Sequence, residues 1–78
     1  MSTQKGKITS RTMPPQQGGF RYVVTIEDGT EVVCFLSMVQ IQTLTACGEA
    51  APKIGNEVYV EPSDVLGRDG TVYGNLSL

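Results

Sequence analysis

The stretch Phe20 to Ser37, reading FRYVVTIEDGTEVVCFLS, limits what this chain can fold into more than any other. Two runs rich in Val, Ile, Tyr and Phe flank Glu27-Asp28-Gly29. Such residues suit a pleated, half-buried backbone, and Asp-Gly between apolar runs is a strong hairpin signal. The turn decides which side chains share a face. A two-residue Asp28-Gly29 loop pairs Ile26 with Glu31 and puts a carboxylate in the apolar row. A three-residue loop, with Gly29 at positive φ, pairs Ile26 with Thr30, Val24 with Val32 and Tyr22 with Cys34. One face is then Tyr22, Val24, Ile26, Val32, Cys34 and Leu36, an uninterrupted core row. A one-residue slip would turn that row to solvent, so the second register is expected.

The opposite face carries Arg21, Val23, Thr25, Glu31, Val33 and Phe35, with Arg21 across from Phe35 and Val23 across from Val33. It is too apolar for a plain solvated surface. Either another element covers it or it binds something.

The rest of the chain is shorter in its signals. Residues 1–4 are polar and read as a flexible N-terminus, and residues 5–78 read as one domain. Lys5 to Thr12 predicts a first strand, with Gly6 as a bulge or coil point. Met13 to Gly19 is a loop stiffened by Pro14-Pro15. Met38 to Cys47 fits a short helix or one irregular turn, with Gly48 placed to end a helix. Glu57 to Glu61 alternates as a strand that Pro62 should end. Gly67-Arg68-Asp69-Gly70 makes a turn into a last strand, Thr71 to Leu78, with Val72, Gly74, Leu76 and Leu78 in phase. Five short strands in so small a chain suit a closed barrel, because closure removes exposed edges. Three strands, a helix or turn, then two strands is the order of the oligonucleotide/oligosaccharide-binding (OB) barrel. The expected fold is therefore an all-β, five-stranded OB-type barrel. An SH3-like barrel competes, but its helical turn usually comes just before the last strand.

Composition excludes much. There is no histidine, which removes the commonest base near neutral pH and the commonest metal ligand. Two cysteines, Cys34 and Cys47, make neither a disulfide framework nor a four-ligand zinc site. Cys34 lies in the core row and has no adjacent base to activate it. No glycine-rich loop ends in Gly-Lys-Ser/Thr. No stretch approaches the roughly 20 apolar residues that span a bilayer, and Lys5 and Lys7 precede no apolar run. These features predict a non-enzymatic, cytoplasmic protein without cofactor, metal or membrane partner.

Binding remains. The net charge is −2, yet residues 1–21 hold four of the six basic residues and no acid. A basic first strand on an acidic body leaves room for a local cationic patch. Phe35 beside Arg21 would offer a flat ring with a cation next to it, and bases stack on such surfaces. The competing position for Phe35 is under the Met38–Cys47 segment or in the core. Tyr22, Tyr59 and Tyr73 read as core or rim residues, with Tyr59 the most exposed of the three.

The pattern Gly6-Lys7-Ile8, Tyr22-x-Val24-x-Ile26-x-Asp28-Gly29 and Val32-x-Cys34-x-Leu36-Ser37 resembles bacterial translation initiation factor one and related S1-like OB domains. Ile54-Gly55-Asn56-Glu57-Val58-Tyr59-Val60-Glu61 is similar to that family's Gly-Asp-x-Val-x-Val-Glu segment. The resemblance covers most of the chain from Gly6 onward and implies an OB barrel that binds RNA on the ribosome. The chain departs from the family in two places. A basic run after the serine is replaced by Met38-Val39-Gln40-Ile41-Gln42, and the final strand reads Thr71-Val72-Tyr73-Gly74-Asn75-Leu76 without Arg or Lys.

Two functions follow as expectations. The first is single-stranded RNA binding through Lys7, Arg11, Arg21, Phe35 and Arg68. The second is a protein-interaction module, self-associating or docking on a partner, through Val23, Val33 and Phe35.

Overall fold

A computed structural model describes residues 3–13 and 18–77, apart from the side chain of Val65. Pro14, Pro15, the first two residues and Leu78 lie outside the described residues. Five strands and one helix follow in the order β1 (Gln4–Thr12), β2 (Phe20–Ile26), β3 (Glu31–Leu36), α1 (Met38–Ala46), β4 (Glu57–Leu66) and β5 (Val72–Ser77). The strands close into a barrel, β1-β2-β3-β5-β4, with β4 returning to β1. β3 and β5 run parallel and every other pair is antiparallel. This is the expected OB-type barrel. The helix stands between β3 and β4, not before the last strand, which sets aside the SH3-like alternative.

The hairpin adopts the three-residue loop. Tyr22 pairs with Cys34, Val24 with Val32 and Arg21 with Phe35. The Ile26 amide donates to the Thr30 carbonyl at 3.0 Å, Gly29 takes φ 88°, and the Asp28 carboxylate accepts the Thr30 amide at 2.8 Å. All six residues of the predicted core row are buried, joined by Ile8 from β1 and Val60 from β4. Burying each large apolar side chain contributes about 1.5–3 kcal/mol.

β1 begins at Gln4, which pairs with Val60, so the N-terminal polar segment ends one residue earlier than expected. Its bulge lies between Ile8 and Ser10, not at Gly6. Gly6 has a packing role instead: a Cβ there would stand 2.6 Å from Val24 Cγ1 and 2.9 Å from the Thr25 carbonyl. β4 does not stop at Pro62 but runs to Leu66 through an irregularity after Pro62. Among the described residues Val60 is the last β4 residue paired with β1, and Pro62, beyond it, pairs with Gly74 of β5.

The Met38–Cys47 segment resolves to a helix. Ser37 and Gln40 form a reciprocal capping box, with each side chain accepting the other's backbone amide at 3.2 and 2.9 Å. Cys47 caps the C-terminus and Gly48 follows at φ 79°. Ile41 and Leu44 pack half-buried against the core, while Val39 stays exposed.

Candidate binding face

Strand alternation sends Arg21, Val23, Val33 and Phe35 to the outside of the barrel, as the register required. The parallel β3–β5 pairing adds a residue the sequence reading set aside. Val33 pairs with Tyr73, so Tyr73 lies on the same outer surface. The Phe35 and Tyr73 rings stack across the two strands with centroids 6.3 Å apart and planes 17° from parallel. Both are exposed, Phe35 by 48% and Tyr73 by 38%. Phe35 is therefore neither under α1 nor in the core.

Val33 corrects the expected interaction face. It points outward yet is only 5% exposed and belongs to no part of the interior cluster. Its neighbours are Val23 on β2 and Tyr73 on β5, and Phe35 follows two positions along its own strand. Set between these neighbours, Val33 offers almost no surface of its own. Val23 is half-buried.

Arg21 is half-buried opposite Phe35. Asp69, in the β4–β5 turn, has its carboxyl held below the ordinary carboxylate range, first by the Thr71 hydroxyl and amide and in smaller part by the Arg21 charge. Asp69 Oδ1 accepts both of those Thr71 donors, which ties the carboxylate into its own turn. The same turn meets the aromatic pair at Gly67, where a Cβ would stand 2.6 Å from Tyr73 Cε2. On the outer positions of β2, β3 and β5 the one carboxylate is Glu31, paired with Thr25 at the far end from Arg21.

The other candidate cations are not gathered here. The β1 bulge shifts its phase, so that Arg11 pairs with Tyr22 and turns inward with it. Arg11 is half-buried, donates to the Pro52 carbonyl at 3.1 Å, and carries its guanidinium 4.8 Å over the Phe20 ring. Lys7 is exposed, pairs with Thr25 and Glu57, and lines a shallow groove with Lys5, Gly6, Ile26 and Glu27. Glu57 there is held below the ordinary carboxylate range by its 2.8 Å ion pair with Lys5, with a smaller part from Lys7. Arg68 is exposed in the turn between Gly67 and Gly70. Of the five sequence-chosen contacts, the fold joins Arg21 and Phe35 on one face and brings Arg68 to its margin.

Tyr22 is fully buried and Tyr59 is exposed, as expected. Cys34 and Cys47 are both free, one buried and the other exposed. Burial pushes the Cys34 thiol up to about 11, the opposite of nucleophile activation. Among the described residues no group of three or more His, Cys, Asp or Glu could hold a metal ion, and no helix is long and apolar enough to cross a membrane. Comparison with protein-family models, curated proteins and solved structures returns no match.

Proposed function

We propose that this chain is a non-enzymatic module that binds single-stranded nucleic acid, RNA foremost, on the outer face of β2, β3 and β5. The observation that carries this reading is the exposed Phe35–Tyr73 stack with Arg21 beside it. Unstacked bases lie on aromatic faces with about 1–3 kcal/mol per base, and a neighbouring guanidinium serves a phosphate or a second stacking contact. OB barrels bind ligands across their second and third strands. The resemblance to translation initiation factor one supports RNA as the ligand and the ribosome as its setting. The free cysteines fit a reducing, cytoplasmic site of action.

Charge decides the character of this binding. The chain carries a net −2, and half-buried Arg11 is engaged by the Pro52 carbonyl and the Phe20 ring. Phosphate contacts are therefore few, and stacking supplies most of the affinity. The same face also supports a protein-interaction reading. It is the weaker one, because Val33 is buried and Val23 half-buried, leaving two rings and not a broad apolar patch.

An amide-shift titration with short single-stranded RNA and DNA at two salt concentrations tests both. The proposal expects saturable shifts at Arg21, Val23, Phe35 and Tyr73. Shifts elsewhere, or none with any oligonucleotide, reject it. Concentration-dependent dimerisation abolished by Phe35→Asp favours the protein-interaction reading instead.

A further inference from the structure

We infer that Gly67 is a positioning residue of the binding face: its lack of a side chain lets the β4–β5 turn hold the Tyr73 ring in its stack with Phe35. This rests on the nucleic-acid reading above and adds to it the element that builds the platform. Gly67 is not among the glycines with positive φ, so its backbone does not demand glycine. The requirement is spatial. A Cβ at this position would meet Tyr73 Cε2 at 2.6 Å, while its next neighbours, Asp69 Oδ1 and the Thr71 carbonyl, stand at 3.4 Å. Only the ring must yield, and the ring is the far end of a side chain that can rotate. It yields by leaving the position in which it lies 17° from parallel with Phe35.

The turn is built to stay where it is. Gly67 donates its amide to the Thr71 carbonyl at 2.8 Å and Gly70 donates to the Gly67 carbonyl at 3.0 Å. Asp69 closes the loop onto Thr71. A rigid turn abutting one ring edge, with Arg21 opposite Phe35, Arg68 at the rim and the Asp69 carboxylate tied to Thr71, complements a polyanion that places a base on that ring.

The experiment is a double-mutant cycle on the full chain, with a short oligouridylate as the probe. Gly67→Ala should weaken binding about tenfold while the unfolding midpoint stays within a degree or two, since an exposed ring absorbs the clash. Tyr73→Ala should weaken it by a similar factor. In the Tyr73→Ala background, Gly67→Ala should have no further effect, because no ring is left to displace. Equal losses with and without Tyr73, or no loss in the single variant, overturn the positioning role while leaving the nucleic-acid reading intact. Absence of oligouridylate binding by the unaltered chain overturns both. If Gly67→Ala lowers the unfolding midpoint sharply, the turn is structural and the inference fails.

Discussion

Arg11 and Tyr22 face each other across β1 and β2 and donate to a single acceptor, the Pro52 carbonyl, at 3.1 and 2.8 Å. Pro52 belongs to the connection between α1 and β4, so the shared bond ties that connection to the barrel. Burial raises the Tyr22 hydroxyl above its ordinary range, with the Arg11 charge acting against the rise. The hydroxyl is therefore a donor at all ordinary pH values, as the bond requires.

Tyr22→Phe should remove one buried hydrogen bond, leaving the Pro52 carbonyl to Arg11. The expected loss is about 1 kcal/mol, which lowers the midpoint of thermal unfolding by about 4–8 °C in a domain of this size. Arg11→Met should lower it comparably through the lost bond and the lost contact over Phe20. Oligonucleotide affinity of the folded protein should not change in either variant. A weakened affinity for Arg11→Met at temperatures where it is folded would restore Arg11 as a nucleic-acid contact.

Two glycines should respond to substitution for different reasons. At Gly74 a Cβ would meet the Glu61 carbonyl and Val32 Cγ1, both at 2.8 Å. Backbone on one side and a packed core on the other cannot both yield, so Gly74→Ala should cost about 1–3 kcal/mol. At Gly48 nothing lies within 4 Å, but φ is 79°. Gly48→Ala should cost about 1 kcal/mol from backbone strain alone. Replacement of Gly48 by Asn, which tolerates this conformation, should recover most of that loss in chemical denaturation, and Gly74→Asn should recover nothing.

The hairpin was legible because its own alternation and one turn residue fix the register; Tyr22, Val24, Val32 and Cys34 needed no distant partner to be placed. The parts that were not legible depend on pairings between segments far apart in the chain. Tyr73 reaches the face only through the parallel β3–β5 contact with Val33, and the same contact buries Val33. Arg11 turned inward because an extra residue at Thr9 changed the phase of β1, and nothing in Lys5 to Thr12 marks Thr9 as the bulge. Pro62 misled for a related reason. Proline ends a strand where its missing amide would leave a ladder bond unmade, and among the described residues β4 at Pro62 is paired with β5 and not with β1.

The buried Cys34 thiol gives the fold an alkaline limit. Its pKa lies near 11 in the folded protein, above the ordinary value of 9.0, because burial disfavours the thiolate. Below pH 9 both states hold the proton and the group is neutral to stability. Between about pH 9 and 11 the unfolded chain releases it first, so stability should fall as pH rises through that window, by at most about 3 kcal/mol. Cys34→Ser should not flatten the curve cleanly, because it buries a hydroxyl; Cys34→Ala is the better variant. Thiol labelling at pH 8 should modify exposed Cys47 and spare Cys34 until denaturant is added. At the acid end the carboxyls of Asp28, Glu57 and Asp69 are all held low in the fold. Their contribution is present above the unfolded carboxylate range and is lost as pH falls through the depressed values, so stability should also decline on acidification.

Salt dependence separates stacking from phosphate contact on the proposed face. Arg11 is engaged with Pro52 and Lys7 faces Glu57, which leaves Arg21, opposite Phe35, and Arg68, beside the Gly67 that abuts Tyr73, to meet phosphates on this face. Two phosphate contacts give a slope of about −1.4 in log affinity against log salt for a single strand. A strongly basic OB domain would show several times that. Phe35→Ala should lower affinity at every salt concentration by about fivefold to a hundredfold with the slope unchanged, because a base has lost its ring. Arg21→Gln should reduce the slope by about 0.7 and lower affinity most at low salt. Fluorescence anisotropy over a salt series reads both quantities. A steep slope in the unaltered chain, or a slope that Phe35→Ala changes and Arg21→Gln does not, would show that the rings are not the main contact and that phosphates are held by residues away from this face.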